Sequence, residues 1–197
     1  VQIYIYCSHS VNYLIYLQNI FLNSHSSNND SYYFPYWGND ETGFKSEDEF
    51  VARWKDSFRK IINERYYANN EPLLVDKYNP IFLSLFEEGD KGIFHFEKNH
   101  KSFLSWWNTD GFGAQLLIEL FTNELPLYDE LQRLITKHKL KIVDEKLTVE
   151  IIYHDVYLLP NIEKKGYVLI PYKELINYKL TSQFSPELTN KVMNCLY

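Results

Sequence analysis

The stretch Lys91–Glu124 reads KGIFHFEKNHKSFLSWWNTDGFGAQLLIELFTNE. Gly92-Ile93-Phe94-His95-Phe96 opens it with the composition of a short strand. Ala114–Phe121, AQLLIELF, is the densest apolar run in the chain, with five of eight residues Leu, Ile or Phe. A segment with almost no polar face belongs in the middle of a core, so a helix buried on all sides is predicted there. Trp106 and Trp107 lie between the two pieces. Ser102–Trp107 has room for a helical turn, and Asn108–Gly111 resets the direction of the chain.

Working outward, Pro126 and Asp129 open a helix carried by Leu127, Leu131, Leu134 and Ile135. Leu140–Val143, Leu147–Tyr153, Val156–Leu159 and Tyr167–Ile170 read as strands, with a hairpin turn at Asp144-Glu145. A short helix follows Pro171, and Ser185-Pro186-Glu187 caps a final one. Upstream, Val1–Tyr6 is a strand and Val11–Leu22 a helix. Tyr32–Gly43 has no period and reads as a loop pinned by its rings. Ser46 and Glu49 have the spacing of a capping box for an amphipathic helix ending near Tyr67. Asn79-Pro80 begins a short helix over Ile81–Glu88. This order is not a regular βαβα alternation. It predicts an α+β fold, with a mixed or mainly antiparallel sheet in the C-terminal half packed with about five to seven helices. The 197 residues make one domain, with a weak subdivision near residue 125 as the one candidate boundary.

Composition narrows the function classes. Tyr 17, Phe 13 and Trp 4 make 17% of the chain, enough rings to fill a core and also furnish a binding face. The formal charge is −6. Residues 1–100 hold 14 acids and 9 bases, and residues 101–197 hold 12 and 11, so no basic block invites a nucleic-acid backbone. A basic protein is the partner this charge suits. Nothing before Asp30 is charged, but Gln2, Ser8, His9, Ser10, Asn12, Gln18 and Asn19 interrupt the apolar residues. That argues against a membrane span or a signal peptide and for a cytoplasmic location. Cys7 and Cys195 have the spacing of neither a metal motif nor a disulfide framework.

No phosphate loop, dinucleotide fingerprint, zinc-protease helix or nucleophile elbow occurs, and no cofactor is expected. The residues that carry chemistry are scattered. Cys7 and His9 follow the first strand as a thiol and a base. Tyr153-His154-Asp155 ends a later strand, where Asp155 would orient His154. On a strand, His95 and Glu97 share a face, and with His100 they supply metal-ligand chemistry. The binding candidates are Tyr36, Trp37, Trp106 and Trp107, with Asp40 and Glu41 as an acidic rim. Two readings follow. The first is a small acidic cytoplasmic binding or inhibitor protein, in its specific form an immunity-type protein neutralising a basic toxin. The second is a hydrolase or metal-dependent enzyme whose site is assembled from the dispersed Cys, His and carboxylate residues.

Overall fold

The computed structural model describes residues 2–25, 33–37, 40–67, 75–110, 113–119, 127–137, 146–160, 162 and 164–196. They form β1 (Gln2–Tyr6), α1 (His9–His25), α2 (Glu47–Tyr67), α3 (Val75–Leu83), α4 (Asp90–Trp107), α5 (Gly113–Glu119), α6 (Leu127–Lys137), β2 (Lys146–Ile152), β3 (Tyr167–Pro171), α7 (Tyr172–Thr181) and α8 (Pro186–Leu196). The chain is thus an α+β protein, with eight helices and one three-stranded sheet among the described residues. Its contacts group into two compact units. Unit 1 is Val1–Ser8, Trp107–Asp155 and Asn161–Tyr197, and unit 2 is His9–Trp106 with Val156–Pro160.

In unit 1 the strand order is β1-β2-β3, and both pairings are parallel. The antiparallel expectation is therefore overturned. It rested on four closely spaced strand-like runs, which suggested hairpins. Of those runs, Leu140–Val143 and the turn at Asp144-Glu145 lie outside the described residues. Val156–Leu159 is not a strand. Instead, the amides of Tyr157 and Leu158 donate to the side-chain oxygen of Gln18 within unit 2, at 2.8 and 3.1 Å.

The sheet has two unlike faces, because alternate residues of a strand point opposite ways. Register places Ile3, Leu147 and Ile5, Val149, Val168 and Ile151, Ile170 on one face, which is entirely aliphatic. The other carries Tyr4, Tyr6, Thr148, Glu150 and Tyr167 together with the aliphatic Ile152 and Leu169. Helices α7 and α8 pack against β3. The Ser185 cap is formed: its Oγ accepts the Leu188 amide at 3.0 Å.

In unit 2 the helix α1 packs against α2 and α3. Every residue from Ser10 to Phe21 is buried, so α1 is the helix surrounded on all sides. That place had been expected for Ala114–Phe121. In α5, however, Leu117 is 3% exposed and Ile118 42%, so this short helix has a wet side, and residues 120–121 lie outside the described ones. Trp54 of α2 donates its indole N–H to the carbonyl of Leu14, 2.7 Å away in the middle of α1.

The strand expected at Ile93–Phe96 is the second turn of α4. Its buried residues Phe96, Asn99, Phe103 and Trp107 recur at three- and four-residue steps, a helical period that a five-residue window conceals. Gly92 allows this start, since a Cβ there would sit 1.7 Å from the Glu87 carbonyl oxygen. Helix α3 begins at Val75, before the Asn79-Pro80 pair expected to open it, and carries Pro80 inside. Helix α2 starts one residue after Ser46, whose carbonyl accepts the Phe50 amide at 2.8 Å. The Glu49 carboxylate meets Lys45 and Arg53, at 3.2 and 2.8 Å, in place of the reciprocal half of the box.

Gln18→Ala should destabilise the protein by about 2–4 kcal/mol, because the Tyr157 and Leu158 amides lose their acceptor. Asp56→Ala, on the exposed face of α2, should cost less than about 0.5 kcal/mol. Urea unfolding of both variants measures the difference.

Candidate functional site

Of the binding candidates, Tyr36, Trp37, Asp40, Glu41 and Trp106 lie in unit 2. Residues 33–37 and 40–44 form a strap whose successive contacts run antiparallel to α4. Phe34 packs on Trp106 near the end of the helix, ring centroids 5.0 Å apart. Trp37 lies under the Lys98 ammonium, 5.2 Å from ring centroid to nitrogen, and Asp40 pairs with the same Lys98 at 2.8 Å. Glu41 reaches Lys91 at 2.5 Å and His95 at 3.9 Å. Phe44 then bridges to Phe86, just before the helix begins.

Two elements hold the strap in this line. From below, α1 supplies side-chain amides: buried Asn19 donates to the Phe34 carbonyl at 2.7 Å. Asn23 donates to the carbonyls of Tyr33 and Pro35, at 2.7 and 3.0 Å, and accepts the Tyr33 amide at 2.9 Å. From the side, Lys91 and Lys98 hold the carboxyls of Glu41 and Asp40 below their usual range, by hydrogen bond first and charge second. Gly43 makes the last close approach. Its φ is +66°, and a Cβ there would lie 2.4 Å from the His95 ring.

The strap turns some rings inward and others outward. Tyr36 is 60% exposed and Phe34 46%, and Phe94 on α4 is 62% exposed. Trp37 and Trp106 are half-buried. Trp106 also stacks on Tyr16, at 6.2 Å and an interplanar angle of 25°. Trp107 belongs to unit 1 and is buried, so the adjacent indoles have separate surroundings.

The chemical candidates divide between the units. Cys7 follows β1 and His154 and Asp155 follow β2, and because these strands are parallel, both groups lie at the carboxyl edge of the sheet. The Asp155 carboxylate is taken by Lys173, 2.5 Å away at the start of α7. Burial lowers the pKa of His154, the Asp155 charge raises it and Lys173 lowers it again. His9, His95, Glu97 and His100 lie in unit 2. With residues 93–100 helical, His95 and Glu97 are two positions apart and face different sides, where a strand would have aligned them. His95 is buried beneath Gly43, Glu97 is exposed, and the His100 ring stacks on Phe96 at 5.6 Å. Among the described residues no group of three or more His, Cys, Asp or Glu side chains is placed to hold a metal ion.

Two residues with structural authority escaped the sequence reading. Glu150 is fully buried in β2, where it accepts the Ser8 amide at 2.5 Å and the Tyr167 hydroxyl at 3.1 Å. A lone acid inside the apolar run Val149–Ile152 was its signal. Gln18 was counted only as an interruption of apolar residues, although such a residue inside a buried helix must have a polar partner.

No protein-family model, no curated protein and no solved structure matches the chain. No helix among the described residues is long and apolar enough to cross a membrane.

Gly43→Ala should destabilise more than Gly89→Ala. Both glycines have positive φ, so each substitution carries about 1–2 kcal/mol of backbone cost. Only at Gly43 does the new methyl meet a ring, whereas nothing lies within 4 Å at Gly89. Equal losses in thermal unfolding would mean that the strap does not rest on His95 in solution.

Proposed function

We propose that this is a binding or inhibitor protein that engages a basic protein through the strap, the exposed side of α4 and the acidic turn beside them; immunity against a basic toxin is the specific form of this reading. One observation carries it. The bridge between Phe44 and Phe86 brings residues 41–49 and 85–91 together, reinforced by hydrogen bonds from Lys45 N to the Leu85 carbonyl and from Glu87 N to the Gly43 carbonyl, at 3.1 and 2.9 Å. The first segment holds four acids and one base, and the second three acids and one base. Together they hold a net −5, against −6 for the whole chain. Arg53, just beyond, offsets part of this by pairing with Glu49.

The exposed rings lie on the same two elements as part of this charge, the strap and α4. Tyr36 lies five residues before Glu41 on the strap, and Phe94 follows Lys91, the partner of Glu41, by one turn of α4. Rings beside a charged rim suit a partner that brings cations and a pocket: the rim raises the encounter rate and the rings supply the desolvated contact. The pinning by Asn19, Asn23, Lys91 and Lys98 reduces the ordering cost on association, as preorganisation requires. The enzyme reading draws less support, because Asp155 is engaged by Lys173 and the helical course of α4 turns His95 and Glu97 to different sides.

A partner captured from the native host and identified by mass spectrometry permits a calorimetric test. Tyr36→Ala should weaken binding by about 2 kcal/mol or more, with circular dichroism unchanged. Glu87→Lys with Glu88→Lys should slow association and flatten its salt dependence. Wild-type affinity and rate in both variants would remove the proposal.

A further inference from the structure

His9 and His100 are 91 positions apart in sequence, and their rings meet inside unit 2. The centroids are 5.6 Å apart and the planes nearly perpendicular, at 88°. Around them is a cage of rings. His9 sits edge-on to Phe103 at 4.8 Å and near Tyr13 at 6.1 Å. His100 stacks on Phe96 and contacts Tyr13 at 5.0 Å. Tyr13 is fully buried and packs in turn on Phe82 of α3 and Phe103 of α4, each at 4.9 Å. We propose that His9 and His100 form an acid-sensitive latch, which holds the first turns of α1 against α4 while the rings are neutral and releases them when His9 takes up a proton.

The reason is solvation. A neutral imidazole packs among Phe and Tyr rings at a smaller cost than an imidazolium, which loses the hydration of its charge there and repels any charge on the second imidazole. Among the described ring contacts, the titratable groups that face His9 are Tyr13 from its own helix and His100 from α4, with Tyr16 one ring farther on; α3 presents Phe82. Burial raises the pKa of both tyrosines, so they stay neutral and offer no countercharge in acid. Burial first, and His100 second, bring the pKa of His9 from 6.5 down to about 4. The open form therefore binds more protons than the closed form between these two values. The latch is at full strength above pH 6.5 and weakens as the pH falls towards 4.

The test uses the whole chain, with hydrogen exchange of the α1 and α4 amides and the imidazole carbon resonances followed from about pH 7 to pH 4. After correction for intrinsic exchange, opening of the first turns of α1 should increase by up to about tenfold per pH unit in wild type, the limit for uptake of one proton. His9→Gln should abolish most of that dependence, and His25→Gln, at the exposed end of α1, should retain it. A His9 resonance titrating near 6.5, or a His9→Gln variant with the wild-type pH dependence, would overturn the proposal. If His9→Gln does not fold, the wild-type resonance titration decides alone.

Discussion

A helix buried on every side cannot leave an amide side chain without hydrogen bonds, and α1 contains Asn12, Gln18 and Asn19, all fully buried. An unsatisfied amide in such a place costs about 1–3 kcal/mol, so each such group must find a partner as the helix is enclosed. Gln18 and Asn19 meet that demand with the backbones of chain segments far away in sequence. Gln18 takes two amides of residues 156–160, and Asn19, with Asn23 one turn on, takes the carbonyls of the strap. The surrounding of α1 and the path of two non-regular segments are thus one constraint. The aromatic face follows from it, because the rings of the strap have fixed directions only where the backbone beneath them is held.

The second organising device is in unit 1, where a parallel sheet has one aliphatic face and one that mixes polar, aromatic and aliphatic residues. Aliphatic residues of all three strands supply the first face. On the second, Glu150 is satisfied by an amide after β1 and a hydroxyl on β3, joining the ends of the sheet through one carboxylate. Removing that acceptor would strand its donors, so Glu150 is better understood as a fixed junction than as an exposed acid. The carboxyl edge also gathers Cys7, His154 and Asp155, as any parallel arrangement of these strands must.

Legibility in the sequence followed the range of the interactions. Signals complete within one turn were readable: the Ser185 cap and the strand composition of β1 and β3. The acids opening α2 were equally plain, although Glu49 then paired with lysine and arginine. Strand direction depends on the pairing of Ile5 with Val149, 144 positions apart, and no local pattern specifies it. Helix α4 was obscured because Gly92 and the run Ile93–Phe96 look like a strand until the spacing to Asn99 and Phe103 is counted. The buried helix was sought in the most apolar run, but α1 carries polar side chains with partners, which average hydrophobicity cannot distinguish from exposure. For the site, the pairing of Asp40 and Glu41 with lysines of α4 and the meeting of His9 with His100 were likewise beyond local reading.

The account rests on amide side chains of α1 fixing distant backbone. Amide hydrogen exchange of the native protein, read at Tyr33, Tyr157 and Leu158, addresses this directly. None of the three residues is in a helix or strand, and each amide donates to a side-chain oxygen of α1, Tyr33 to Asn23 and Tyr157 and Leu158 to Gln18. Exchange at these amides is expected to be slowed by a factor on the order of a hundred or more relative to an unstructured chain, as for locally ordered backbone. Exchange of all three at the unstructured rate, with α1 and α2 still protected, would contradict it.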